Sequence, residues 1–268
     1  MVKLDYPRGQ FEVIVVDDGS KRPLDSLVAP FAQQIQLCLI HQNNQGPATA
    51  RNAGASIAKG DHLAFTDDDC MPAANWLIQL ANQYAITPYA VIGGYTINRL
   101  VGNHYSATSQ QLIDYLYQYY NQHHPTFFAS NNIAVPRKLF LAMDGFASGM
   151  PLAAGEDREF CDRWRRDGHL LVYEPRAIIG HGHLLTAVSF WKQHFNYGRG
   201  AWQYHQIRAL RAKQNLRLEP PSFYWNLLFF PLKNNATLKS IWHVFLMGVS
   251  QLANAIGFFY ESRKENVG

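Results

Sequence analysis

The chain has 268 residues, 47% of them hydrophobic and 16% charged, enough to bury a full core and too apolar for a disordered protein. Its three cysteines, Cys38, Cys70 and Cys161, lie far apart with no CxxC pair, which argues against a disulfide framework or a structural zinc site and fits a reducing compartment. The formal charge of +4 is uneven: residues 185–268 hold ten Lys/Arg and three Asp/Glu, a balance of +7, so residues 1–184 carry −3.

A basic, aromatic C-terminal region can mean nucleic acid, but no RNA or DNA module signature is present. Anionic phosphates or a membrane surface are the expected partners instead. The segment Met1 to Tyr6 has no apolar h-region and is read as carrying no signal peptide.

Phe11 to Val16 is a β-branched run that ends in Asp17-Asp18-Gly19-Ser20, which reads as a strand entering an acidic turn. Lys21 to Gln34 reads as a loop and helix, and Ile35 to Ile40 as a second strand. After the polar loop 41–46, Pro47 stands where a helix begins. That helix, Ala48 to Ala58, is rich in small residues and can lie close to a sheet or a ligand. Leu63-Ala64-Phe65-Thr66 then runs into Asp67-Asp68-Asp69. An apolar strand ending in three carboxylates is a candidate site, because open α/β sheets bind ligands at the carboxyl ends of their strands. Clustered carboxylates repel one another unless a cation lies between them, and hard oxygen ligands suit Mg²⁺ or Mn²⁺. Strand, helix, strand, helix, strand in this rhythm is half of a doubly wound α/β fold.

Trp76, Leu77, Leu80, Ala81 and Tyr84 have the spacing of an amphipathic helix. Ala90 to Ile97 is a strand interrupted by Gly93-Gly94, a sign of close backbone approach or a bulge. The Tyr-rich segment 110–120 reads as a helix whose aromatic stripe more often serves packing than a sugar platform. Phe127 to Val135 reads as a strand with Asn131 and Asn132 in its middle; buried amides need partners, so this pair either bonds neighbouring backbone or faces a polar ligand. Pro136 starts a short helix, and Gly155 to Trp164 is a helix with Glu156 and Asp157 in its first turn, where carboxylates also complement the helix dipole. A strand over Leu170–Tyr173 leads toward His181-Gly182-His183, whose alternation puts both rings on one side as candidate metal ligands.

Glu219-Pro220-Pro221 marks a linker, followed by a short aromatic piece over Phe223–Leu232. Ile241 to Tyr260 is twenty residues without Asp, Glu, Lys or Arg, long enough to span a bilayer. His243, Ser250, Gln251 and Asn254 make it a poor spanning helix, and an interfacial or sheet-covering helix is the equal alternative. The expected organisation is a domain over residues 1–218 and an apolar helical appendage over 219–268, cytoplasmic or peripheral on the cytoplasmic face of the membrane.

Taken in order, these pieces resemble family-two glycosyltransferases of the GT-A fold, a mostly parallel, Rossmann-like sheet flanked by helices. The resemblance rests on Glu12 to Ser20, on Asn44-x-Gly46 with Ala50-Arg51-Asn52-Ala53-Gly54, and on Gly60-Asp61 with Asp67-Asp68-Asp69. It continues through Asn131-Asn132 and Gly145-Phe146 to Gly155-Glu156-Asp157, covering about residues 4–200.

What the resemblance implies is an inverting, metal-dependent transfer of a sugar from a nucleotide-diphosphate donor to a hydroxyl acceptor, a saccharide or lipid-linked saccharide, in polysaccharide or glycolipid assembly. Asp18 would read the base or ribose and Arg51 would lie beside the diphosphate, with Asp17, Asn52, Asp68, Asn131 and Asn132 also around the donor. Asp67 and Asp69 would be the DxD pair, the first toward ribose and the second toward Mg²⁺ or Mn²⁺. Asp157 would be the catalytic base with Glu156 orienting or contacting the acceptor. His183, with His181, would approach the metal.

The resemblance also implies a departure. Family members begin with a strand ahead of the helix that leads to the strand at 11–16, and Met1 falls inside what would be that helix. The first strand is therefore expected to be missing, with Met1 not the natural start, leaving the strands at 11–16 and 62–66 each with an unpaired edge. The competing readings are a catalytically silent nucleotide-sugar-binding scaffold, or truncated inactive transferase, and, more remotely, a nucleotidyltransferase.

Overall fold

The computed structural model describes residues 1–121, 124–148, 154–212, 219–233 and 236–265, which fall into two compact units. The first takes in Met1–Thr96, Pro125–Pro151 and Glu156–Gly180; the second takes in Ile97–His124, Leu152–Gly155 and His181–Gly268.

The first unit opens as the β-branched and apolar runs require: β1 (Val13–Asp18), α1 (Asp25–Ala32), β2 (Leu37–Gln42), α2 (Pro47–Ile57) and β3 (His62–Phe65). β1 and β2 run parallel in register, from Val13 opposite Leu37 to Asp18 opposite Gln42. The small residues of α2 serve a close approach, since a Cβ on Gly54 would stand 3.2 Å from a methyl of Val16. The remaining elements are β4 (Cys70–Pro72), α3 (Trp76–Ile86), β5 (Val91–Asn98), β6 (Ile133–Pro136), α5 (Arg137–Ala142), α6 (Glu156–Arg166) and β7 (Leu171–His181).

The strands form two sheets: β1 with β2, and a five-stranded sheet in the order β3-β6-β5-β7-β4. β6 runs antiparallel to both β3 and β5, so the sheet is mixed where the sequence suggested a mostly parallel one. Among the described residues β1 pairs only with β2 and β3 only with β6, so the two strands lie in separate sheets. The β3 run, read as an interior strand buried on both faces, alternates instead: Leu63 and Phe65 are buried, His62 and Ala64 exposed.

Two side-chain clusters fill the core of this unit. Trp76, Leu80 and Tyr84 form one stripe of α3 against Ile92, Ala134, Ala177 and Ile179. Phe65, Phe140, Phe146 and Phe160 pack as tilted and edge-on rings with centroids 5.0–5.5 Å apart. The glycine pair in β5 marks close approach, as its sequence implied. Phe128 lies flat where a Gly93 Cβ would be, and the Ala177 carbonyl where a Gly94 Cβ would be.

The second unit is helical: α4 (His104–Asn121), α7 (Ala187–Ala212), α8 (Pro221–Phe229) and α9 (Leu238–Glu265). The aromatic piece expected over 223–232 is α8 and a following 3-10 turn, and the charge-free run is the body of α9. Neither stands alone, because Leu112, Tyr115 and Leu116 of α4 form one core with Phe223, Leu227 and Met247. α7, which the sequence did not announce, is the main partner of α9. Gly198 lets α7 approach the Asn254 carbonyl, and Gly257 lets α9 approach the Phe195 carbonyl. The polar groups of α9 are absorbed inside this unit. Glu261 is buried and accepts from Arg199 Nε at 2.5 Å and from Gln203 Nε2 at 2.9 Å.

Candidate active site

The carboxylates that end β1 hold the turns around them. Asp17 is buried; its Oδ1 accepts the Ser20 N–H at 2.8 Å, and its Oδ2 lies 3.1 Å from His41 Nδ1. The Ser20 bonds hold its carboxyl below the usual range, with a smaller contribution from His41. Asp18 gathers the loop before α2: Oδ1 accepts from Gln42 Nε2 at 2.7 Å and Gln45 N at 2.8 Å, and Oδ2 accepts from Gly46 N at 2.8 Å. Gly46, at φ 88°, takes the left-handed turn that starts α2.

Two of the amides expected around a donor are committed to the protein. Asn52 donates to the Phe146 carbonyl at 2.7 Å and accepts the Phe146 N–H at 2.9 Å, pinning the turn at Gly145, which has φ 64°. Asn132 precedes β6 in a 3-10 turn instead of sitting inside a strand. Its oxygen accepts from Trp76 Nε1 at 3.0 Å, and its nitrogen donates to the carbonyls of Tyr95 and Ala177 at 3.1 and 3.0 Å. Its alternatives therefore resolve toward neighbouring backbone. Asn131 differs: its Oδ1 is buried and accepts no hydrogen bond from a described residue.

The carboxylates around Arg51 form the densest charge cluster of the unit. Arg51 projects from α2; Nη2 donates to Asp67 Oδ1 at 2.6 Å and Nη1 to Glu156 Oε1 at 3.2 Å, and the guanidinium lies 5.9 Å from the Phe146 ring centroid. Burial works against this charge, but Asp67 and then Glu156 outweigh it and hold the guanidinium above its ordinary value. The small-residue helix explains the reach, since close packing of α2 on β1 carries Arg51 inward.

Glu156 and Asp157 open α6. Glu156 is 4% exposed, and its Oε2 accepts no hydrogen bond from a described residue. Burial, and next the charge of Asp157, push its carboxyl up to about 7, with Arg51 acting the other way. Asp157 is also raised, chiefly by burial, against the pull of Arg158, Arg51 and the Ser130 N–H. Adjacent carboxyls in a low-dielectric setting resist holding two charges, which is how a carboxylate becomes a proton acceptor near neutral pH. The Ser130 N–H was invisible in the sequence, because backbone groups carry no residue signature.

Of the acidic triplet, Asp68 is exposed, Asp67 faces Arg51, and Asp69 Oδ1 stands 3.7 Å from Cys70 Sγ. Burial, then Asp67, push the Cys70 thiol up to about 12, so it stays protonated at neutral pH. The donor chemistry of Asp67 and Asp69 fits a hard divalent cation, being carboxylate oxygen on a partly exposed strand end. His181 and His183 belong to the second unit, where their rings lie side by side with centroids 5.3 Å apart and planes at 19°.

Residues 3–143, more than half of the chain, match the family model for glycosyl transferase family 2. The pre-mycofactocin glycosyltransferase of Mycobacterium tuberculosis is 30% identical over 178 residues, 64% of this chain and 37% of that protein. Glycosyltransferase AglE of Haloferax volcanii is 27% identical over 222 residues, 77% of this chain and 69% of that protein. The chain thus spans little more than a third of the mycobacterial relative. Among solved structures, the mannosyltransferase PcManGT from Pyrobaculum calidifontis, in complex with GDP-Man and Mn²⁺, superposes with a TM-score of 0.59 at 19% identity. That match covers 94% of this chain and 68% of that one. S. aureus TarS 1–349 in complex with UDP-GlcNAc gives 0.55 at 15% identity, over 99% and 85%. These likenesses fix the GT-A fold, and the family model decides the rest: the chain belongs to glycosyl transferase family 2.

Proposed function

We propose that the protein transfers a sugar from a nucleoside-diphosphate donor to a hydroxyl acceptor, with inversion and with help from a divalent cation, in polysaccharide or glycolipid assembly. The observation that carries this is the Arg51 bridge, which brings Asp67 and the Glu156–Asp157 pair to one guanidinium. Solved neighbours of the same fold hold GDP-Man or UDP-GlcNAc, and one of them Mn²⁺, which supports the donor class and the cation.

In this reading Asp67 and Asp69 hold Mg²⁺ or Mn²⁺. The bound cation would neutralise charge on the leaving diphosphate. Arg51 adds fixed positive charge beside the acidic strand end. Asp157 takes the proton from the acceptor hydroxyl as it attacks the anomeric carbon, and Glu156 orients it. A base that delivers the acceptor from the face opposite the diphosphate inverts the anomeric centre. Asp18 and Asp17 shape the donor end of the site by fixing its loops, and Asn131 offers the donor an unused amide oxygen.

The separation of the β1–β2 pair from the five-stranded sheet favours one other reading, a catalytically silent scaffold that binds nucleotide sugars. The experiment that separates them is a screen of UDP- and GDP-sugars with Mn²⁺, read by calorimetry and by release of nucleoside diphosphate. Chelator-sensitive binding with turnover supports the enzyme, and chelator-sensitive binding without turnover supports the scaffold. Binding that ignores chelator removes the cation from both.

A further inference from the structure

α9 has two separate apolar faces, and among the described residues only one is covered. Met247, Ala253 and Gly257 are buried on the side toward the rest of the second unit. Leu238, Ile241, Phe245, Leu252, Ile256 and Phe259 are exposed, Phe245 at 57% and Phe259 at 62%. Their steps of 3, 4, 7, 4 and 3 place them within about 60° of arc at 100° per residue, a stripe about 32 Å long at 1.5 Å per residue. Trp242 and Tyr260, both about half exposed, border it near its two ends.

The exposed charged side chains described at the two ends of the stripe, Lys239, Arg263 and Lys264, share one sign. Lys239 stands at its start, exposed Arg263 continues its line beyond Phe259, and exposed Lys264 follows. The acid Glu261 is buried and paired with Arg199, so it does not oppose that charge. Residues 185–268 as a whole carry +7.

By length and mean hydropathy α9 could cross a bilayer. Its covered face opposes that. The close crossing at Gly198 and Gly257 and the Arg199–Glu261 pair tie α9 to α7, and α7 carries Lys192, Gln193, His194, Arg199 and Gln203, which a bilayer core would strip of water. A helix with one face held by protein and the other apolar, tipped with basic and aromatic side chains, suits the plane of a lipid interface.

We propose that the exposed stripe of α9 docks this protein on the surface of an anionic lipid bilayer, lying in the interface with Phe245 and Ile256 inserted among the acyl chains. The basic residues at its ends supply the preference for anionic headgroups.

The test uses the full chain in co-sedimentation with phosphatidylcholine vesicles with and without 30% phosphatidylglycerol, about that fraction being a common anionic content. The expected result is binding at least tenfold tighter to the anionic vesicles and weakened by salt. Phe245→Asp with Ile256→Asp should lower it at least tenfold while the thermal midpoint stays within about 2 °C, since both side chains are exposed. Unchanged vesicle binding by the double variant would overturn the proposal. So would a wild-type protein that ignores vesicles but forms an oligomer which the double variant dissociates, because the stripe would then face a second copy. Resistance of bound protein to carbonate extraction would overturn the interfacial placement in favour of a span.

Discussion

Arg51 Nη1 stands 3.2 Å from Glu156 Oε1, joining two residues 105 positions apart in the chain. The same guanidinium reaches Asp67, so one planar side chain couples the end of β3 to the start of α6. Lysine offers a compact point charge in place of this planar fork. Arg51→Met removes a charge that opposes ionic repulsion at Glu156. The expected cost is about 3–5 kcal/mol at pH 8, the range for breaking a buried ion pair. It should shrink at pH 5, where Glu156, raised to about 7, is protonated in the folded state. Urea titrations at the two pH values check this, and equal losses would show that Glu156 does not titrate with the cluster.

The carboxyl pair that opens α6 sets the pH dependence of turnover. Both are raised: Glu156 to about 7, by burial and next by the charge of Asp157, and Asp157 by burial against the pull of its neighbours. A proton acceptor must be ionised to work, so with the Asp157 carboxyl raised by burial kcat should fall on the acid side at a pH above the ordinary carboxylate range. Asp157→Asn should keep donor affinity within about threefold and lose about 10²–10⁴ in kcat. Glu156→Gln should lower kcat less and move the acid limb downward, because one of the two repelling charges is gone. A product with the donor's anomeric configuration would remove the single-displacement assignment.

Asn131 and Asn132 are neighbours with opposite expected behaviour. Asn132→Leu orphans Trp76 Nε1 and the carbonyls of Tyr95 and Ala177, each costing about 1–3 kcal/mol. The thermal midpoint should drop by more than about 10 °C in this variant. Asn131→Ala should leave the midpoint nearly unchanged and weaken donor binding, measured by calorimetry. The reverse pattern would return the donor contact to Asn132.

Much of this arrangement was legible where side-chain pattern alone decides structure. β1, β2, α2, α3 and β5 follow from apolar runs, from Pro47 at a helix start and from the i, i+4, i+8 stripe of Trp76, Leu80 and Tyr84. The acidic ends of β1 and β3 and the opening of α6 stood out because charge next to an apolar run is rare. β7 is longer than its sequence suggests, since Glu174-Pro175-Arg176 reads as a break. Inside the fold Glu174 accepts from the Arg176 N–H and guanidinium at 2.8–2.9 Å, which keeps the strand going. α7 was hidden by Gly198 and Gly200, which weaken helix propensity and make sense only against the backbones of Asn254 and Ala154. The roles of Asn52 and Asn132 were equally hidden, because their partners, backbone groups and the Trp76 indole, lie far away in the chain.

The second unit carries its own pH sensitivity in His194 of α7. The ring is 1% exposed; its Nε2 lies 3.0 Å from Ser109 Oγ, and the Phe190 ring centroid is 4.3 Å away. Burial drives its pKa from 6.5 down to about 3. The folded state therefore refuses a proton that the unfolded chain accepts. Its share of stability is complete above pH 6.5 and is lost as pH falls from there toward 3, with a limiting slope of about 1.4 kcal/mol per pH unit. His194→Gln keeps a polar group for Ser109 and removes the titration. Urea titrations between pH 7 and pH 5 should then show a shallower loss of stability for the variant than for the wild type. Parallel curves would mean that His194 takes up its proton in the folded state as readily as in the unfolded one.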